Sequence, residues 1–137
     1  MKPPFRADQV GSLLRPAKLR EGRLNLKRDS TELRALEDAC IRDAVKQQEA
    51  IGLQVVTDGE MRRDYWHLDF TGQLDGVTLK APVGMTFNAE DVPPMATITG
   101  KLGCSKPVFA DHFRFLKSVA KATPKLTIPA PAALHFR

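Results

Sequence analysis

Apolar residues recur at helical spacing through one long stretch: Leu33, Leu36, Cys40, Ala44 and Ile51, with Ile41 and Val45 beside them. This stripe predicts an amphipathic helix from Ser30 to Ile51. Asp29 is placed to cap it, with Glu32 three residues on reaching back in a variant of the capping box. Glu37, Asp38, Arg42, Lys46 and Glu49 fall mainly off the stripe, and Asp38 and Arg42 have the spacing of an i,i+4 ion pair. Gly52 suits the position just past the helix end. The pattern then changes. The β-branched run Val55-Val56-Thr57 predicts a strand over Leu53 to Thr57. Upstream, Phe5 to Ser12 predicts a first short strand ending in Val10-Gly11-Ser12. After it, Pro16 opens a short helix, Ala17 to Glu21, which Gly22 ends. From Leu74 to Lys106 Gly, Pro and Thr are frequent, and the extended runs Gly76 to Phe87 and Met95 to Leu102 predict a hairpin around the loop Asn88 to Pro94. Pro93-Pro94 cannot donate ladder bonds and should interrupt the pairing. Pro107 to Thr123 predicts a second amphipathic helix, with Phe109, Phe113, Leu116 and Ala120 on one stripe, and Lys125 to Ile128 a last strand.

Strand, long helix, strand is the order of a right-handed parallel crossover, which brings the C-terminal ends of both strands to one side. Gly11-Ser12 and Asp58-Gly59-Glu60 should then face each other across one mouth. Beyond that second turn stand Glu60, Arg62, Arg63, Asp64, Trp66 and His67. Charged and aromatic groups crowded past a strand end suit an α/β active site, where the strand supplies rigidity and the loop supplies reach. A solvated, charged loop after an ordinary strand has the same appearance. Cys40, on the apolar stripe, reads as a small core residue.

Composition narrows the class. The 137 residues are 42% hydrophobic and 27% charged, an ordinary globular balance with enough chain for one domain with a core. No apolar run approaches the roughly 18 residues of a membrane helix, and the N-terminus has no apolar signal region. Cys40 and Cys104 are isolated, which gives neither a disulfide framework nor a zinc knuckle, and a reducing cytoplasm is the default compartment. The net charge of +5 admits an anionic partner or simple solubility. The basic residues are dispersed, densest from Arg15 to Arg28, and the chain has one Trp and one Tyr. A nucleic-acid module would need a clustered basic face with stacking aromatics.

Several segments together resemble the cobalamin-independent methionine synthase family, in particular its shorter, single-barrel members. They are Val10-Gly11-Ser12, Glu49-Ala50-Ile51-Gly52-Leu53, Thr57-Asp58-Gly59-Glu60-Met61-Arg62-Arg63, Trp66-His67-Leu68-Asp69-Phe70, Ile128-Pro129-Ala130-Pro131 and Leu134-His135-Phe136-Arg137. The resemblance implies an α/β fold, the N-terminal portion of a (β/α)8 TIM barrel with a β-hairpin insertion, residues 1–137 forming a single domain. A complete barrel takes roughly 250 residues, so the chain is expected to be incomplete, to be inactive alone, and to carry an exposed sheet edge through which a second copy could pair. The implied reaction is methyl transfer from 5-methyltetrahydrofolate, often polyglutamylated, to the thiol of homocysteine, with zinc binding that thiol as thiolate. It also implies that Gly11, Ser12 and Glu60 bind the amino-acid end of homocysteine, and Phe136 stands near the position of a family Trp close to the folate. The larger family members carry His-Gly-Glu where this chain has Asp58-Gly59-Glu60. Trp66 and His67 are further candidates for substrate contact, His67 equally a hydrogen-bonded structural histidine. The family's zinc ligands lie in later strands; His67, His112, His135, Cys40 and Cys104 show no ligand spacing, so no metal ligand is assigned. Alternatives are a zinc-dependent alkyltransferase acting on another thiol such as coenzyme M, a basic anion- or nucleic-acid-binding module, and a non-catalytic fragment.

Overall fold

The computed structural model describes residues 9–80 and 93–135. The chain is a mixed α/β protein that divides into two compact units, Met1–Arg62 with Asp111–Thr127, and Arg63–Ala110 with Ile128–Arg137.

The first unit is organised by the long helix. Its apolar stripe forms α2, Thr31–Ala50, preceded by a shorter α1, Ala17–Asn25. Ser30, not Asp29, caps α2: its extended backbone lets Oγ accept the Leu33 N–H at 3.1 Å. At the other end Gly52 takes φ +85°, its N–H donating to Glu49 O at 3.0 Å while Leu53 N–H reaches Gln48 O at 3.1 Å. Those two bonds are a Schellman closure, which needs the left-handed residue that glycine supplies without a Cβ penalty. Ile51 sits at this cap and is 77% exposed, so it leaves the stripe. Gly22 does not end α1. It stays helical, and Leu36 packs where a side chain would be: a Cβ there would lie 2.4 Å from Leu36 Cδ2. Leu19, Leu33, Cys40, Ile41, Val45, Val56, Met61 and Leu116 form the core of this unit, with Cys40 1% exposed.

The strand after α2 is shorter than expected, β1 being Val55–Val56. It pairs in parallel with β4, Thr123–Pro124, in the register Val55↔Thr123 and Val56↔Pro124; α4, Ala110–Val119, leads into β4. Thr123 N–H donates to Gln54 O at 3.0 Å and Lys125 N–H to Val56 O at 2.8 Å. Pro124, between those two donors, is tolerated because a parallel ladder takes alternate N–H groups. The last strand therefore falls before Lys125–Ile128, since the chain beyond Val56 turns away at Asp58-Gly59. Gln9–Ser12 form no strand; Phe5–Asp8 of that predicted element lie outside the described residues.

In the second unit β2, Asp75–Lys80, runs antiparallel to β3, Met95–Gly103, with Val77 opposite Ile98 and Lys80 opposite Met95. A bulge between Asp75 and Val77 is made by Gly76 at φ +75°, where a Cβ would lie 2.5 Å from Lys101 O. Pro93-Pro94 directly precede β3; the hairpin residues 81–92 lie outside the described residues. A one-turn helix, α3, Leu68–Thr71, was not predicted. The helix expected from Pro107 starts instead at Ala110, because Phe109 takes φ +59° and cannot join it. Phe109 is 5% exposed, with the Arg63 guanidinium 4.3 Å above its ring and the Phe70 ring 5.9 Å away. A short 3₁₀ turn, Pro131–His135, closes the described chain.

Candidate functional site

The site is built where β1 ends. Thr57, 1% exposed, has its main chain bonded at both its N–H and its carbonyl by the Gln48 side chain of α2. Gln48 Oε1 accepts the Thr57 N–H at 2.9 Å, and Gln48 Nε2 donates to Thr57 O at 2.9 Å and to Ala44 O at 3.1 Å. The Gln9 side chain donates to Gln48 Oε1 and, at 3.1 Å, to Thr57 Oγ1. Thr57 then ties two loops together. Its hydroxyl donates to Gly11 O at 2.8 Å and accepts the Gly59 N–H at 3.2 Å, while Leu13 N–H donates to Gly59 O at 3.0 Å. The loop after Val10 and the loop after Val56 are thereby laid side by side.

Glu60 follows with φ +55°, a conformation that costs a non-glycine residue of order 1–3 kcal/mol and persists only where its surroundings over-determine it. Contacts among the described residues do so. Its N–H donates to Asp58 Oδ1 at 2.9 Å, its carbonyl accepts from the Arg15 guanidinium at 3.0 Å, and its Oε1 accepts from the Thr127 hydroxyl at 3.0 Å. Asp58 Oδ2 remains a buried acceptor without a hydrogen-bond partner among the described residues. Gly11, at φ +154°, lies against the same group: a Cβ there would stand 2.3 Å from Thr127 Oγ1 and 3.1 Å from Glu60 Oε1. Glu60 is 7% exposed and Ser12, one residue past buried Gly11, is exposed. A carboxylate held this way is an acceptor suited to a charged donor such as an ammonium, since charge-assisted bonds are the strong ones.

A cationic layer supports this loop. Arg15 Nε also reaches Met61 O at 3.4 Å, and Arg23 donates to Met61 O at 3.1 Å and to Glu37 Oε1 at 2.8 Å. Arg62, 6% exposed, pairs with Asp38, stands 3.7 Å from Glu37 Oε2 and lies 4.7 Å over the Phe115 ring. Burial pushes the Glu37 carboxyl above its ordinary value, against the pull of Arg23 and Arg62, and burial lowers Arg62. Asp38 thus pairs with Arg62 and with Arg34 at 3.9 Å rather than with Arg42, whose guanidinium lies 5.0 Å from the Phe115 ring centre. Glu37, read as off the apolar stripe, is 7% exposed. Glu37 and Gln48 are polar residues at spacings that continue the stripe of Leu33, Cys40, Ile41 and Ala44, and that interruption was the sequence signal for both. Arg15 and Thr127 carried no comparable signal.

Among the candidates, then, Gly11, Ser12 and Glu60 come together in the first unit. Trp66 and His67 belong to the second, with their rings 4.7 Å apart and tilted by 48°, and Trp66 54% exposed. There Asp69 accepts the Asp64 and Tyr65 N–H groups at 2.8 and 3.0 Å and folds the loop into α3. Phe136 lies outside the described residues. Cys40 is buried in the apolar core, and Cys104 is exposed. Among the described residues no group of three or more His, Cys, Asp or Glu side chains could hold a metal ion, and no helix is long and apolar enough to cross a membrane.

No protein-family model matches the chain. It is 44% identical over 142 residues to the uncharacterized protein YxjG of Bacillus subtilis, covering 99% of this chain and 38% of that protein. It is 33% identical over 126 residues to the methionine synthase of Sulfurisphaera tokodaii, covering 89% of this chain and 37% of that one. A solved structure from Listeria monocytogenes, assigned to the vitamin-B12-independent methionine synthases, superposes with a TM-score of 0.75 at 36% identity, over 97% of this chain and 38% of that one. The chain spans well under half the length of these relatives. Sequence and fold agree across nearly all of it, and the chain belongs to the cobalamin-independent methionine synthase family as a partial, N-terminal-like piece.

Proposed function

We propose that this chain supplies the amino-acid-binding part of a methyltransferase that carries a methyl group from 5-methyltetrahydrofolate, in its polyglutamate form, to the thiol of homocysteine, giving methionine. One observation supports this above the others: Gly11, Glu60 and Thr127, from three separate segments, interlock at the end of the parallel strand pair with Glu60 held in a left-handed backbone. On this reading Glu60 receives the ammonium of homocysteine, and Ser12, with its hydroxyl and neighbouring N–H groups, receives the carboxylate. Trp66, His67 and Phe136 are proposed as further substrate contacts of the whole protein. Residues 1–137 would form one N-terminal portion of a (β/α)8 barrel, with β1 and β4 two of its strands; folate binding and thiol activation belong to the whole protein. Zinc, which the family resemblance implies, finds no donor set among the described residues.

The test is titration of L-homocysteine into the chain, followed by NMR up to millimolar ligand, beside a Glu60→Gln variant. Loss of a charged hydrogen bond, about 1.5–3 kcal/mol, predicts roughly 10- to 100-fold weaker binding in the variant. Equal affinity removes Glu60 from the site, and no binding by the unmodified chain refutes the reading.

A further inference from the structure

Thr127 stands in none of the motifs that carried the family resemblance, yet it touches the proposed ammonium receptor directly. Val56 and Pro124 are parallel partners, so Thr127 follows β4 out of the same end of the ladder at which Glu60 follows β1. Its hydroxyl, which has a single proton to give, gives it to Glu60 Oε1 at 3.0 Å. The space that hydroxyl occupies is the space a side chain at position 11 would fill, since a Cβ on Gly11 would come within 2.3 Å of it. Asp58 and Arg15 hold the Glu60 main chain, while Thr127 holds the far end of its side chain.

We propose that Thr127 is a positioning residue that presets the Glu60 carboxylate to receive the α-ammonium of a thiol-bearing amino acid, and so sets selectivity for ligands that carry that ammonium. The physical reason is preorganisation. A glutamate has rotamer freedom to lose on binding, and a carboxylate already fixed by a hydroxyl has lost it beforehand. The inference rests on Glu60 being the ammonium receptor.

The experiment compares two probes: L-homocysteine, and 4-mercaptobutanoate, which has the same thiol and carboxylate but no amine. Each is titrated into the chain and its Thr127→Val, Thr127→Ser and Glu60→Gln variants by NMR. Thr127→Val is expected to weaken L-homocysteine about 10-fold, the scale of one charge-assisted hydrogen bond, and to leave 4-mercaptobutanoate within about twofold. Thr127→Ser, which keeps the hydroxyl, should recover L-homocysteine binding to within about threefold of the unmodified chain. If Thr127→Val weakens both probes alike, the role is structural and the proposal is overturned. Should it lose both altogether, Thr127→Ala, smaller and unable to clash, is read by the same ratio, and equal loss again overturns the proposal. A Glu60→Gln variant that loses selectivity while Thr127→Val keeps it overturns the role of Thr127 alone. Unchanged selectivity in Glu60→Gln overturns the underlying reading instead.

Discussion

Replacing Gln48 with Met keeps the side-chain volume and removes every hydrogen bond, which isolates what the amide does. In the structure that amide serves Thr57 twice, accepting its N–H and donating to its carbonyl, both at 2.9 Å. Gln48 is 4% and Thr57 1% exposed, so water is poorly placed to replace either bond. Leaving a buried backbone donor or acceptor unsatisfied costs about 1–3 kcal/mol each, so the two groups together put roughly 2–6 kcal/mol at stake. The apolar thioether regains part of that, of order 1 kcal/mol, because it no longer buries an amide. Ala44 O loses little, since it retains its helical donor. The net expectation is destabilisation by about 1–5 kcal/mol. Urea unfolding followed by far-UV circular dichroism reads it as a lowered midpoint at unchanged slope. Amide exchange at Thr57 and Gly59 should rise with it, because Thr57 Oγ1 holds both Gly11 O and Gly59 N–H. Gln48→Glu is the internal control. Its protonated form keeps one donor and one acceptor, whereas its ionised form has no donor for Thr57 O; the variant should be destabilised at neutral pH and recover as the solution is acidified. Loss of less than 1 kcal/mol in Gln48→Met, or no acid recovery in Gln48→Glu, refutes the idea that this amide holds the Thr57 main chain.

Two further outcomes follow from the same geometry. Gly11→Ala must displace the Thr127 hydroxyl from Glu60, so calorimetric unfolding should show a loss of about 1.5–3 kcal/mol, and little loss would mean the 2.3 Å approach is relieved without breaking that bond. Glu49 Oε1 accepts the Ala122 and Lys121 N–H groups, which lowers its carboxyl below the ordinary value. Its contribution to stability is therefore present above about pH 4.5 and lost as pH falls through the lowered value, so stability of Glu49→Gln should fall less steeply with acid than that of the parent chain.

How far the sequence could be read depended on whether the deciding contact was local. The stripe from Leu33 to Val45 predicted α2 and its buried face, because helix period and burial are both near-neighbour properties. The hairpin strands were legible for the same reason. The helix start at Ala110 was not, since nothing in Pro107-Val108-Phe109 announces that Phe109 will sit at positive φ beneath Arg63. Nor was the cap of α2: Asp29 and Ser30 are both good capping residues, and the backbone chose the one with extended geometry.

For the candidate site the division is sharper. Gly11, Ser12 and Glu60 could be named in advance because turn chemistry and motif resemblance mark them one at a time. Thr127 and Arg15 could not, because each acts on a residue 67 or 45 positions away in the chain, through a hydrogen bond that exists only once the chain has packed; for Gln48 the stripe marked burial but not its partner, Thr57. By itself the sequence determined which stretches fold into helix and hairpin and which turns can bend tightly. Only the tertiary structure decided that the Thr127 hydroxyl and the Arg15 guanidinium hold Glu60 and that the Gln48 amide holds Thr57, since partners remote in sequence become neighbours only by packing.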